Sequence, residues 1–138
     1  VGVAIPGEWE GDPNIKPGLY ALDAKTGKIK WQFNPEKPES AQRWRGNVFS
    51  AAPAIIDGAV VSAALDGTLY INDAKTGKAL WSYQTNKEYE ALNGVKGKGG
   101  AIDSNSITAA NGLLLVNSGY GMFGQQGGNM LLAFKPKS

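Results

Sequence analysis

Short apolar runs alternate with glycine-containing turns along the chain, a pattern that predicts β-strands rather than helices. The clearest unit has four such runs, at about 51–56, 59–64, 68–72 and 79–83. Asp57-Gly58, Leu65-Asp66-Gly67 and Ala74-Lys75-Thr76-Gly77 separate the runs and have the composition of tight turns. Four short strands joined in this way predict a small antiparallel sheet.

A nine-residue motif occurs twice, fifty positions apart. Asp-Ala-Lys-Thr-Gly-Lys-x-x-Trp is identical at 23–31 and 73–81, and an apolar strand precedes each copy. A second self-match relates 50–58 to 104–112, and 130–134 repeats the strand before the motif. Four strands in a repeat of about fifty residues are typical of a β-propeller blade. A β-sandwich also has evenly spaced strands, but sandwiches do not usually repeat one turn motif.

The predicted fold class is all-β, a partial β-propeller of two to three four-stranded blades. We expect a partial blade at 1–34, a complete blade at 35–85, and at 86–138 a blade that lacks its outer strand. Two and a half blades cannot close a ring, and an open strand edge invites association. Unless this piece self-associates, the remaining blades are expected in the same protein or in a companion chain. The start at Val1, without Met, is consistent with a piece of a longer protein.

Composition narrows the functional classes. The chain contains no Cys and no His, which excludes thiolate zinc sites, imidazole bases and Cys-x-x-Cys-His haem attachment within this segment. The net charge is +2 and the basic residues are dispersed, which is too weak a footprint for nucleic-acid binding. No apolar run is long enough to predict a membrane span. Hydrophobic residues make up 42% of the chain, enough for a packed core.

The repeated tryptophans are predicted to be packing residues. Trp31 and Trp81 each stand eight positions after the aspartate of the motif. A Trp that occurs once per blade is expected to lay its ring over the neighbouring blade's turn and to donate its indole N–H to a carbonyl. These residues therefore indicate the fold and not the active site.

Long connections are predicted to gather on one face. The connections after strands two and four of a blade share a face, and here most of them are long, at 6–17, 34–49, 84–103 and 118–128. Long loops on one end of a rigid scaffold commonly build binding sites. The residues in these loops that enter the first strands point toward the central axis. The candidate binding residues are Arg43, Trp44, Arg45, Asn47, Lys98 and Asp103.

The segment Gly-Leu-Tyr-Ala-Leu-Asp-Ala-Lys-Thr-Gly-Lys-x-x-Trp at 18–31 resembles the repeat of pyrroloquinoline quinone (PQQ) dehydrogenases. The segments 93–104, 116–121 and 128–134 resemble the C-terminal end of polyvinyl-alcohol-dehydrogenase-type quinoproteins. The resemblance implies an eight-bladed propeller, a periplasmic or secreted location, and PQQ with calcium as cofactors. It also implies oxidation of alcohols, including secondary or polymeric ones, with electrons passed to an external acceptor such as cytochrome c.

PQQ carries three carboxylates and a planar aromatic core, so its site needs cations, donors and a flat face. Arg43, Arg45 and Lys98 would supply the charge, Trp44 a stacking surface and Asn47 a polar tip. Alternatively, the two arginines are solvated or form salt bridges between blades, and Trp44 packs to anchor its loop.

Asp103 is a turn cap or a ligand, and its position alone leaves both roles open. In the resembled family the calcium ligands and the catalytic carboxylate lie mostly in earlier blades. We therefore expect neither a catalytic nor a metal-binding residue in this chain.

Two glycine-rich segments imitate nucleotide-binding motifs. Residues 119–124 have G-x-G-x-x-G spacing, but another strand and not a helix is predicted to come next, so no dinucleotide site is expected. Residues 94–100 lack the Ser or Thr of a P-loop and are predicted to form a flexible loop.

Besides the dehydrogenase, two alternative functions remain. One is a periplasmic scaffold propeller that binds proteins without a quinone, as the outer-membrane assembly lipoprotein does, and the other is a non-catalytic fragment.

Overall fold

A computed structural model describes residues 2–5, 18–35 and 49–136. All regular elements in these residues are strands, which agrees with the predicted all-β class. The strands are β1 (Gly2–Ile5), β2 (Gly18–Leu22), β3 (Ile29–Phe33), β4 (Ala54–Ile56), β5 (Ala59–Ala63), β6 (Thr68–Asp73), β7 (Ala79–Gln84), β8 (Glu88–Glu90), β9 (Lys96–Lys98), β10 (Ile107–Ala110), β11 (Leu113–Ser118) and β12 (Met130–Phe134).

Antiparallel pairing assembles most of these strands into three sheets. The first sheet has the order β1-β2-β3, the middle sheet β4-β5-β6-β7 and the last sheet β10-β11-β12. Each sheet keeps chain order from strand to strand, as blades of a propeller do. The partial propeller predicted from the repeat is therefore the observed architecture.

The middle sheet agrees with its predicted strands except at its start. Its first strand begins at Ala54 and not at Ala51. Pro53 has no N–H to donate to a ladder, which explains why regular pairing begins only after it. Ahead of it, Phe49 forms an isolated bridge with Ala64 and Ala51 is buried in the core.

An additional hairpin, β8–β9, occupies the connection between the middle and last sheets. The sequence predicts a flexible loop at 94–100, whereas the structure pairs Glu88 with Lys98 and Glu90 with Lys96. Opposite charges at facing positions stabilise such a pair of strands. Asn93-Gly94, with φ of 76° at the glycine, is the turn signal that would have predicted this hairpin.

The repeated motif forms the same hydrogen-bonded turn in both copies. In the middle sheet, Oδ1 of Asp73 accepts from the N–H of Lys75 at 3.0 Å and from the N–H and hydroxyl of Thr76, each at 2.7 Å. The N–H of Gly77 donates to the carbonyl of Asp73 at 2.8 Å. Asp23, Lys25, Thr26 and Gly27 repeat these four contacts in the first sheet. Residues 23–27 and 73–77 therefore form the same turn through hydrogen bonds within each copy of the motif.

Trp31 links the first sheet to the middle sheet as predicted. Its Nε1 donates to the carbonyl oxygen of Ala74 at 3.1 Å. The ring lies against Gly77, where a Cβ would come within 2.6 Å of the indole. The tryptophan of one sheet therefore packs on the glycine turn of the next.

Two apolar layers fill the spaces between the sheets. Phe33, Phe49 and Tyr70 pack edge to face or tilted between the first and middle sheets, with ring centroids 5.3–6.4 Å apart. The layer between the middle and last sheets consists of small and aliphatic residues. Its buried members are Ala51, Val61, Ala63, Leu69, Ile102, Ile107, Leu114 and Val116.

The two equivalent glycines provide a matched test of the tryptophan contact. Gly27 and Gly77 have φ of 69° and 74°, but only Gly77 lies against an indole. We expect Gly27→Ala to cost about 1–2 kcal/mol for the left-handed backbone, and Gly77→Ala to cost about 1–3 kcal/mol more for the displaced ring. Urea unfolding of the two variants measures the difference. Equal losses would contradict the role of Trp31.

The motif turn also predicts a pH effect. Hydrogen bonds from the side chain and the N–H of Thr76 lower the pKa of Asp73 below its ordinary value of 3.8. Because the folded-state pKa is the lower one, this turn stabilises the fold above pH 3.8, and the contribution is lost as the pH falls through the lowered pKa.

Removing one of the hydrogen-bond donors of Thr76 should reverse part of the lowering of the pKa of Asp73. Thr76→Val removes the hydroxyl donor and should raise the pKa of Asp73 part of the way toward 3.8. An NMR titration of the carboxyl carbons measures this change. Thr26→Val is the control, since it should shift Asp23 and leave Asp73 unchanged; a shift of Asp73 in the control would contradict this account.

Candidate functional site

Two long connections meet on one face of the middle and last sheets. One runs from Thr85 at the end of β7 to Ser106, before β10, and the other joins β11 to β12. Backbone bonds join them, from Ala101 N–H to the carbonyl of Gln126 at 2.7 Å and from Asn129 N–H to the carbonyl of Lys98 at 2.8 Å. The predicted gathering of long connections on one face is observed for these two.

Gly99 and Gly100 form the centre of this face. A Cβ on Gly99 would lie 1.8 Å from the carbonyl oxygen of Thr85, and one on Gly100 would lie 2.1 Å from that of Gln126. Both glycines are buried. In place of the predicted flexible loop, the structure has a tightly packed backbone here, and its glycines are required by the close approach of the backbone at Thr85 and Gln126.

A buried hydroxyl pair holds this backbone in place. The hydroxyl oxygens of Thr85 and Ser118 are 2.8 Å apart, and the two residues are 0% and 3% exposed. Ser118 Oγ also accepts from the N–H of Gly100 at 2.9 Å, and the Thr85 hydroxyl donates to the carbonyl of Gly67 at 2.7 Å. These contacts join the middle sheet to the last sheet under the candidate face.

Neither residue of this pair is predicted from the sequence. Thr85 comes directly after β7 and Ser118 ends β11, and polar residues at strand ends are too common to predict a contact over 33 positions. Only the packing of the two sheets brings them together.

Lys98 lies at the end of β9 with an exposed side chain. Its backbone is held on both sides, because its N–H donates to Oδ1 of Asn129 at 2.9 Å and its carbonyl accepts the N–H of the same residue. Glu88 stands opposite it in the hairpin. The structure thus presents one cationic side chain from a fixed backbone position.

Asp103 has the geometry of a cap within the fold. It is 7% exposed, and its Oδ1 accepts from Ser104 N–H at 2.6 Å while Oδ2 accepts from Gln125 Nε2 at 3.1 Å. Its carbonyl accepts the hydroxyl of Ser106. Both carboxylate oxygens therefore have partners in this chain. Lys98 and Asp103 stand at the two ends of the Gly99–Ile102 segment, one exposed and the other buried.

The other four predicted binding residues, Arg43, Trp44, Arg45 and Asn47, lie outside the described residues. Their role stays a prediction.

A tyrosine–lysine cluster adjoins the hairpin. Lys87 Nζ lies 4.2 Å from the ring centre of Tyr83 and 5.6 Å from that of Tyr89. Hydrogen bonding to Lys87 lowers the pKa of Tyr83, whereas burial raises the pKa of Tyr89. Tyr89 donates its hydroxyl to the carbonyl of Thr85 at 3.1 Å. This cluster anchors the hairpin beside the packed glycine segment.

The described residues fit PQQ better than they fit calcium. No group of three or more His, Cys, Asp or Glu among them is arranged to hold a metal ion, and Asp103 has both oxygens engaged, so a calcium site does not fit this part of the chain. The exposed ammonium of Lys98 suits a carboxylate such as those of PQQ. No helix in the described ranges is long and apolar enough to cross a membrane.

Comparison with known proteins identifies the family. Residues 12–134 match the PQQ-repeat family model described as outer membrane protein assembly factor BamB. The chain belongs to this family of repeat propellers. In the described residues Trp31 packs on the glycine turn of the next sheet, whereas Trp81 packs on Tyr83 and Phe134.

Relatives of two kinds are found within the family. The polyvinylalcohol dehydrogenases of Sphingopyxis sp. (strain 113P3) and Pseudomonas sp. are 37% and 32% identical over 133 residues, covering 86% of this chain and 20% of each relative. The assembly factor BamB of Xanthomonas campestris pv. campestris is 38% identical over 53 residues, or 38% of this chain and 13% of that protein. The chain thus spans about a fifth of the length of the dehydrogenases it matches.

A solved structure supports the architecture. BamB from Moraxella catarrhalis superimposes with a TM-score of 0.51 and 22% identity over 72% of this chain and 28% of that structure. At this identity the likeness shows the propeller fold alone.

The buried hydroxyl pair yields a prediction about the candidate face. Ser118→Ala leaves the buried N–H of Gly100 without its acceptor, so we expect a loss of about 1–3 kcal/mol of unfolding free energy. Ser82→Ala, on the exposed side of β7, should change stability by no more than about 0.5 kcal/mol. Urea unfolding compares the variants. Similar losses for both would show that the pair does not hold the sheets together.

Proposed function

We propose that this chain forms part of the wall of a PQQ-dependent alcohol dehydrogenase that oxidises alcohols, including secondary or polymeric ones. The observation that carries the proposal is the extent of the two dehydrogenase matches. They run over 133 residues at 37% and 32% identity, whereas the assembly-factor relative matches over 53 residues. The two dehydrogenases are so named for their action on polyvinyl alcohol.

The division into a partial blade at 1–34, a complete blade at 35–85 and an incomplete blade at 86–138 belongs to this proposal. It is supported by the three sheets, each of which lies within one of these ranges. The remaining blades, and with them the catalytic carboxylate and the calcium ligands, are proposed to lie in other parts of the longer protein. The proposed location is the periplasm or the outside of the cell.

In this arrangement the chain's own residues bind and orient the cofactor. Lys98, Arg43 and Arg45 are proposed to pair with its carboxylates, with Trp44 against its plane and Asn47 as a polar contact. The bound quinone supplies the chemistry of accepting the electrons of an alcohol C–H bond. The packed Gly99-Gly100 backbone and the Thr85–Ser118 pair are proposed to hold the backbone of Lys98 in position. Electrons leave to an external acceptor, for which cytochrome c is the candidate.

A protein-binding scaffold is the second candidate function. The family description and the solved structure both belong to an outer-membrane assembly factor, and a propeller face can bind a protein partner without a cofactor. A long connection containing a charged hairpin is compatible with either role. A measurement of PQQ binding distinguishes the dehydrogenase from the scaffold.

Titration of the full-length protein with PQQ in the presence of calcium tests the proposal. We expect a saturable shift of the PQQ absorbance and reduction of an artificial dye when a secondary alcohol is added. The combined change Arg43→Ala and Arg45→Ala should weaken PQQ binding at least tenfold, since each charge-assisted bond to a carboxylate contributes about 1.5–3 kcal/mol.

Lys25→Ala is the control variant, because Lys25 lies exposed in a motif turn, the class of turn assigned to the opposite face. It should bind PQQ like the unmodified protein. Full-length protein that neither binds PQQ nor reduces the dye would rule out the dehydrogenase and favour the scaffold.

A further inference from the structure

The chain contains two Asn-Gly pairs, each at the turn of a hairpin. Asn93-Gly94 joins β8 to β9, and Asn111-Gly112 joins β10 to β11. Asparagine is a chemically labile residue, most of all when glycine follows it. All four residues are exposed, and a Cβ on either glycine would meet nothing within 4 Å. Sequence and exposure therefore do not distinguish the two pairs, and any difference in their reactivity must come from hydrogen bonding.

Spontaneous deamidation of an Asn-Gly pair starts at the backbone nitrogen of the glycine. This nitrogen loses its proton to solvent and attacks Cγ of the asparagine, the Cγ–Nδ2 bond breaks, and Nδ2 leaves as ammonia. One water molecule then opens the five-membered succinimide ring at either carbonyl, which gives aspartate or isoaspartate. The reaction therefore needs a glycine N–H that solvent can deprotonate and a side-chain amide that can turn toward it.

Both reacting groups of the first pair are held by hydrogen bonds. The N–H of Gly94 donates to the carbonyl of Ala91 at 2.8 Å. Oδ1 of Asn93 accepts from the N–H of Val95 at 3.1 Å. Deprotonation of the glycine nitrogen must break the first bond, and rotation of the amide must break the second. The turn of the β8–β9 hairpin thus restrains this asparagine against attack.

The second pair has a different turn. Ala110 and Leu113 pair directly, which leaves Asn111 and Gly112 as a two-residue loop with φ of 51° and 72°. Positive φ at both central residues is typical of a type I′ turn. Within the described part of the chain, neither the Asn111 amide nor the Gly112 N–H forms a hydrogen bond. Both reacting groups are therefore available.

We propose that Asn111 is a site of spontaneous covalent modification at which the folded protein deamidates, whereas the hairpin turn protects Asn93. Breaking one hydrogen bond of ordinary net strength slows a step by about two- to twelvefold. Because two bonds must open at Asn93, Asn111 should react at least about fivefold faster in the folded protein. The proposal concerns a turn of the last sheet and does not rest on the proposed function.

The two products have different consequences for the last sheet. Asp57-Gly58 forms the corresponding turn of the middle sheet, so an aspartate is compatible with a turn at this place in the repeat. Isoaspartate adds one atom to the main chain of a two-residue turn, which disturbs the pairing of β10 with β11. Since β10 contributes Ile107 to the buried apolar layer, this product destabilises the sheet. Either product adds one negative charge to the chain.

Peptide mapping of the full-length protein tests the proposal. The protein is incubated at mildly alkaline pH and physiological temperature, and samples taken over several weeks are digested briefly with trypsin. Lys96 and Lys98 lie between the two asparagines, so each asparagine falls in its own peptide. Mass spectrometry measures the small mass increase of each peptide, and fragment ions assign it to Asn111 or Asn93. We expect the rate ratio of at least about fivefold in favour of Asn111.

The same protein unfolded in guanidinium chloride is the control. Unfolding removes the hydrogen bonds that restrain Asn93, so the two asparagines should then react at comparable rates. Comparison of the two rate ratios isolates the effect of the folded structure from that of the neighbouring sequence.

Two variants provide an independent readout by isoelectric focusing. Asn111→Ser should remove most of the acidic form that accumulates with time, and Asn93→Ser should leave it unchanged. If Asn111→Ser does not fold, peptide mapping of the unmodified protein decides alone. The proposal is overturned if Asn93 reacts as fast as Asn111 in the folded protein, or if Asn111 stays intact there over a period in which the unfolded protein deamidates.

Discussion

The contact between a tryptophan and the glycine turn of the next sheet is the constraint on which this architecture depends. It joins sheets that share no strand, and it combines a hydrogen bond from the indole of Trp31 to Ala74 with close packing on Gly77. Each partner needs the other to be in place. The turn must keep its aspartate and threonine to hold its shape, and its glycine must have no side chain to admit the ring. This reciprocity accounts for the aspartate, threonine, glycine and tryptophan among the seven positions that the two copies of the motif share.

The candidate face depends on a second, polar layer at the end of the same sheets. There the backbones of Gly99 and Gly100 pass so close to Thr85 and Gln126 that no side chain fits between them. The hydroxyls of Thr85 and Ser118 satisfy the polar groups buried by this approach, which would otherwise cost about 1–3 kcal/mol each. The packing at this point fixes the backbone position from which the exposed side chain of Lys98 extends.

The two apolar layers between the sheets differ in how completely they are enclosed. Between the first and middle sheets, the aromatic residues are enclosed and the tryptophan is covered. Between the middle and last sheets, the interior is enclosed, but Trp81 is partly exposed and, among the described strands, none pairs with the outer edge of β12.

The sequence by itself determined the elements that are local or repeated. Strand positions in the middle sheet, the glycine turns, the class of fold and the packing role of Trp31 can all be derived from spacing, because a strand, a turn and a once-per-blade aromatic each leave a short-range pattern. The β8–β9 hairpin had such a signal in Asn93-Gly94, which the length of the connection obscured.

Only the tertiary structure decided how distant residues meet. It showed that both carboxylate oxygens of Asp103 accept hydrogen bonds within the chain and that the glycines at 99 and 100 are tightly packed. It also brought together Thr85 and Ser118, which are 33 positions apart. No local pattern in the sequence encodes these contacts, because they form only where the ends of two separate sheets pack against each other. For the same reason, the repeat could predict that Trp81 packs on a neighbouring turn, whereas in the described residues its ring packs on Tyr83 and Phe134.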